Sequence, residues 1–256
     1  MVGIDKFKEH FKDYEKEYVV IGGTACELLM SKEGLDFRAT RDIDMVLIVE
    51  LLTKEFGEVF WDFIQEANYK HINNGTGQAQ FYRFSGPKSS EYPSMIELFS
   101  KSQDWQFELK THIIPIHLDD SISSLSAILL NHSYYQFMRE GIMVVDDIPV
   151  LKPEYIIPFK AKAYLDLIER KSQGEHVDRR DINKHKNDVF RLSVLLSPEK
   201  KMNLPIEIRD DMQEFLNKME SEEVNLKLLA VTGISKENIL NLLYQIYGIK
   251  QVQEVN

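Results

Sequence analysis

Apolar positions at Ile4, Phe7, Phe11 and Tyr14 recur at helical spacing and predict a first helix over residues 4–14. The β-branched run from Tyr18 to Ile21 reads as a short buried strand ending at Gly22-Gly23. Thr24 and Glu27 have the spacing of a capping box, so a helix is expected to start there. Residues 42–49 read as a second apolar strand, and Phe56, Val59, Phe60 and Phe63 mark one side of a helix over 53–67. Asn73-Asn74-Gly75-Thr76-Gly77 signals a turn. Strands are expected at 80–84, 95–99, 111–117 and in the 142–151 region, with helical sequence between 121 and 140.

Beyond Pro153 the strand signals fade and nearly every segment has helical period. Pro153 and Pro158 are read as first-turn prolines introducing a helix to about Arg170, which Ser172-Gln173-Gly174 stops. A second helix is expected from about Asp178 to Leu196, and later ones at 207–219 and 236–247. The pattern predicts an α+β domain over 1–152 followed by a helical domain over 153–256.

Composition narrows the function classes. The formal charge of −10 opposes general nucleic-acid binding through a positive surface. Between Lys152 and Arg191, however, ten Lys or Arg stand against seven acids, enough for a local basic surface. The N-terminus has no basic segment leading into an apolar stretch, and no apolar run approaches the roughly 18 residues of a membrane span. A cytoplasmic protein with no membrane partner is expected. The single cysteine, Cys26, is read as a small core residue, and no Cys or His set has zinc spacing.

Two short motifs carry candidate chemistry. Asp42 and Asp44 open a buried strand, and residues two apart on a strand project to one face with Cβ atoms roughly 6–7 Å apart, twice the strand rise. An all-oxygen pair at that spacing suits Mg²⁺, whose coordination is completed by water and substrate phosphate. Upstream, Gly22, Gly23 and Thr24 stand at a strand-to-helix turn, where glycine lets backbone approach a ligand and free helix amides favour phosphate. One motif handles an anion and the other its metal.

In the helical half, Lys160 shares the apolar face of Ile157, Ala161, Tyr164 and Ile168, whereas Lys162 points away beside Asp166. Lys186 similarly shares a face with Ile182 and Val189, with Asp188 on its flank. A lysine on an inner face must snorkel, pair with an acid or meet a ligand.

Strand, Gly-Gly-Thr, helix, Arg38-x-Thr40-x-Asp42-x-Asp44 and an apolar strand together resemble the signature of the nucleotidyltransferase superfamily that includes DNA polymerase beta. Lys160-Ala161-Lys162-Ala163, Arg170 and Lys186-Asn187-Asp188 are similar in order to motifs of nucleotidyltransferase toxins of the abortive-infection type, which more commonly have Lys directly followed by Asp. The resemblance implies a nucleotidyltransferase-like mixed sheet flanked by helices. It also implies a third carboxylate on a later strand, for which Glu97 in Ser94-Met95-Ile96-Glu97-Leu98-Phe99 is the candidate, where the family more often has Asp. On this reading Asp42, Asp44 and Glu97 bind two Mg²⁺ ions, and Gly22, Gly23 and Thr24 contact the phosphates of a nucleoside triphosphate. Arg38 and Arg41 partner phosphates or the acids, Lys160 neutralises the departing pyrophosphate, and Lys186 and Asp188 complete the nucleotide site. The acceptor hydroxyl would belong to RNA such as tRNA, to protein or to a small molecule, and a toxin would have an antitoxin partner. The competing reading is a non-catalytic nucleotide-binding or toxin-neutralising protein of the same fold.

Overall fold

The computed structural model describes residues 3–71, 81–99, 128 and 131–251. The turn expected at 73–77, the strand at 111–117 and most of the sequence from 121 to 130 lie outside the described residues. Two compact units are present. Described residues up to 99 join 138–152 in the first, whereas 128, 131–137 and 153–251 make the second.

The first unit is a mixed sheet with helices. Its elements are α1 (Ile4–Phe11), β1 (Tyr18–Ile21), α2 (Gly22–Lys32), β2 (Asp42–Leu47), α3 (Lys54–Glu66), β3 (Lys70–His71), β4 (Phe81–Ser85) and β5 (Met95–Phe99). Helix α4 (His132–Glu140) crosses the division between units, and β6 (Ile142–Val145) and β7 (Ile148–Leu151) return to the sheet. Strand order is β3-β4-β5-β2-β1-β7-β6. Strands β2 and β5 are parallel, as are β1 and β7; the other neighbours are antiparallel.

Every residue of β1 and β7 is buried, as continuous apolar strands in a sheet centre should be. Residues Asp146 and Asp147 both have positive φ, at 49° and 61°, which makes the two-residue turn that joins β6 to β7. Helices α1 and α3 bury the phenylalanines that their spacing marks. Phe11 packs 4.7 Å from Phe7 and 5.3 Å from Phe63, with Tyr18 of β1 at 5.8 Å, centroid to centroid. Thr53 caps α3 by accepting from Phe56 N at 3.2 Å, and the buried Glu17 carboxylate accepts from Thr53 N at 2.8 Å. The first helix stops at Phe11 rather than Tyr14, which instead packs its ring 5.8 Å from Phe56.

The second unit holds α5 (Pro153–Ser172), α6 (Arg179–Leu192), α7 (Ile206–Ser221) and α8 (Lys236–Tyr247), with 3₁₀ turns at Ser193–Leu195 and Leu226–Leu229. Asp178 caps α6 through Arg180 N, and Gly174, with a φ of 90°, turns the chain just after α5 ends at Ser172. The α+β organisation is therefore the expected one, a mixed sheet flanked by helices and a helical remainder.

Pro158 departs from its expected place. Helix α5 starts at Pro153, so Pro158 lies inside it and withholds the N–H that Glu154 O would otherwise accept. The buried Tyr247 hydroxyl supplies the missing donor at 3.0 Å, tying α8 to α5. Tyr247→Phe leaves that carbonyl unsatisfied and should destabilise the protein by about 1–3 kcal/mol in denaturant unfolding.

Candidate active site

The local chemistry begins where β1 ends. Antiparallel register places Ile21 opposite Asp44, so the next residue, Gly22, meets the Asp44 side chain. Gly22 has φ 69°, and a Cβ there would run into the Asp44 carboxylate. Gly23 is also crowded, since a Cβ would lie 2.7 Å from Thr40 Cγ2 and 3.0 Å from Arg38 Nη2. Only glycine at both positions lets the first turn of α2 approach the acidic strand and its arginine this closely.

That helix begins at Gly22, two residues before the expected start, with Ile21 as its uncapped N-cap. The Thr24–Glu27 capping box is therefore a misreading, because both residues fall inside the helix and turn toward β2. Thr24 donates its hydroxyl to Asp42 O at 2.6 Å, and the Glu27 carboxylate accepts from Thr40 N at 2.8 Å and from the Thr40 hydroxyl. These bonds brace the segment that feeds Asp42 and Asp44 into the sheet. The buried Cys26 donates its Sγ to Gly22 O, in keeping with a core role.

Parallel pairing of β2 with β5 sets Asp44 beside Glu97, and antiparallel pairing of β4 with β5 sets Arg83 on the far side of Glu97. Partners in register project to the same face, so Asp44, Glu97 and Arg83 form one row across three strands. Arg83 donates through Nε to Oε1 of Glu97 at 2.9 Å, and its Nη2 lies 2.8 Å from the same oxygen. Burial, then the Asp44 charge and a hydrogen bond between the two carboxyls, push the Glu97 pKa up to about 8, while Arg83 opposes the rise. Glu97 is only 6% exposed and faces into this row rather than toward solvent.

Asp42 stands two residues before Asp44 on the same strand face, but at the exposed start of β2 opposite Met95. Among the described residues no three acidic, histidine or cysteine side chains close into a group able to hold a metal ion. The structure thus brings Asp44, Glu97 and Gly22 together and leaves Asp42 at their margin. The pair fits a hard cation. Two neighbouring carboxyls beside a glycine offer oxygen donors only, the chemistry that hard divalent ions prefer.

The remaining predicted residues fall in other places. Arg38 stacks its guanidinium 5.2 Å from the Phe37 ring centre beside Gly23. Arg41 is exposed, and its carbonyl accepts from Ser94 N at 2.9 Å, joining the starts of β2 and β5. Lys160, Lys186 and Asp188 belong to the second unit. Lys160 Nζ lies 3.0 Å from Asp188 Oδ2 with both groups buried, and Arg191 approaches the other oxygen at 3.4 Å. Lys186 pairs separately with Glu222 at 2.7 Å. Arg83 was not among the residues marked from the sequence, although a cation in the middle of the apolar strand Phe81–Ser85 is its signal.

No protein-family model matches the chain, and no curated protein matches its sequence. Among solved structures the chain is similar to an antigenic nucleotidyltransferase-like protein from Paracoccidioides brasiliensis, at 14% identity and a TM-score of 0.46, covering 88% of this chain and 89% of that one. It is also similar to the Megavirus polyadenylate synthase, at 15% identity and a TM-score of 0.42, covering 86% of this chain but 36% of that one.

Two outcomes test this geometry. Because burial and the neighbouring Asp44 hold the proton on folded Glu97 up to about pH 8 while the unfolded chain releases it near the ordinary carboxylate value of 4.5, its contribution to stability is full below the lower value. That contribution is lost as pH rises through the upper value, so melting temperature measured from pH 5 to 8 should fall more in the parent than in Glu97→Gln. In the second unit, Lys160→Ala removes the nearer cation from a fully buried carboxylate that keeps Arg191 at 3.4 Å, and should cost about 3 kcal/mol in chemical unfolding, the low end for breaking a buried pair.

Proposed function

We propose that the chain is a nucleotidyltransferase that moves a nucleoside monophosphate from a nucleoside triphosphate to an acceptor hydroxyl. The observation that supports this most is the meeting of Asp44 and Glu97 against Gly22 at the first turn of α2. In this reading Asp42, Asp44 and Glu97 hold divalent ions, Mg²⁺ being the hard cation suited to carboxylates and phosphate. Bound ions would supply neutralisation of charge on the triphosphate and on the entering and leaving oxygens.

The chain's own residues do the rest. Gly22 and Gly23 leave room at the positive end of α2 for a phosphate group, and Arg38, beside Gly23, adds a guanidinium to it. Glu97 favours loss of the acceptor hydroxyl's proton to solvent as the new bond to the α-phosphorus forms, and the bond from that phosphorus to the β-phosphate oxygen breaks to release pyrophosphate. Thr24 and Glu27 hold the segment before β2 so that the aspartates keep their place. The role of Lys160 at the leaving pyrophosphate, and those of Lys186 and Asp188 toward the nucleotide, rest on the motif resemblance. So do an RNA or protein acceptor, the toxin setting and a cognate antitoxin.

The test is transfer of label from an α-labelled triphosphate in the presence of Mg²⁺, with total cellular RNA or protein as acceptor. Asp42→Asn and Asp44→Asn should each lower transfer by on the order of 100-fold or more with the circular-dichroism spectrum intact. Full activity in both variants contradicts the proposal.

A further inference from the structure

Arg83 takes no part in the mechanism above, yet it is the only residue seen to hold Glu97 from the side opposite Asp44 among the described residues. We propose that Arg83 is a positioning residue that fixes Glu97 as a one-oxygen ligand for a divalent cation, an inference that rests on the nucleotidyltransferase reading. Its Nε donates to Oε1 at 2.9 Å and its Nη2 lies 2.8 Å from the same oxygen, so Oε2 is the oxygen left for a cation. A lysine in the same place is a point donor with free rotation about its stem, whereas the rigid guanidinium sets two nitrogens at fixed positions beside one oxygen.

The row order separates positioning from simple charge balance. Adjacent strands lie about 4.8 Å apart, so Arg83, two strands from Asp44, starts roughly 10 Å from that strand while Glu97 stands between them. The guanidinium therefore acts on the outer edge of Glu97. A cation held between the two carboxyls would feel mainly the orientation it imposes. If charge alone mattered, Arg83→Lys, which keeps a positive group beside Glu97, would bind the cation as the parent does.

Arg83→Lys keeps the charge and loses the fork. Titration calorimetry with Mn²⁺ alone should show binding weakened on the order of tenfold, the usual scale for loss of an outer partner of a metal ligand. In transfer assays the Mg²⁺ concentration for half-activation should rise similarly, with kcat at saturating Mg²⁺ within about twofold of the parent by the same logic of an outer partner. Arg83→Gln should weaken Mn²⁺ binding too. Parental or tighter affinity in either variant overturns the proposal, as does a lowered melting temperature with unchanged Mn²⁺ affinity. A parent protein that binds Mn²⁺ and transfers nucleotide while the variants match it refutes the role of Arg83 alone; a parent that does neither refutes the enzymatic reading with it.

Discussion

The contact between the Asp44 carboxylate and the bare α-carbon of Gly22 is the constraint on which the site depends. It exists because antiparallel register sets Ile21 against Asp44 and because the chain turns into α2 at the very next residue, with a positive φ that glycine tolerates. With that side of Asp44 walled by backbone, its carboxyl is driven toward the neighbouring strand, where parallel register supplies Glu97. Two acids in a half-buried corner repel each other, which with burial raises the Glu97 pKa, and an arginine on the other side opposes that rise.

Much of this arrangement was legible in the sequence, because it is built from local signals. Gly22-Gly23 after a β-branched run, and acids alternating at the head of the next strand, encode their own geometry through turn conformation and the strand period of two. Glu97 stood out as a lone acid within an apolar strand, though its partner did not. What sequence periodicity could not supply was register. Arg83 meets Glu97 only because β4 pairs with β5 at a particular offset, and that offset is set by turns and by packing rather than by residues near Arg83. The capping box failed for a related reason: Thr24 and Glu27 have the right spacing, but the glycines let the helix begin earlier and freed both side chains for the segment before β2.

The helical unit teaches the same lesson about distance along the chain. Lys160 was conspicuous on an inner helix face, and the sequence restricted it to a few options; the choice was made by Asp188 on α6, which is wholly buried and is matched by Arg191 as well. Pro158 inside α5 is tolerated because a tyrosine from α8 donates to the carbonyl that the ring deprives, a compensation that no reading of α5 alone reveals. In both cases an apparent violation of a local rule is repaired by a residue from another helix, so the helices hold one another in a specific arrangement and not by apolar burial alone.

Anomalous diffraction from crystals grown with Mn²⁺ and a non-hydrolysable nucleoside triphosphate would examine the acidic corner most directly. The account predicts manganese bound to the carboxyls of both Asp44 and Glu97, with triphosphate oxygens at the first turn of α2. Manganese bound elsewhere, with the two carboxyls still bonded to each other, would contradict it.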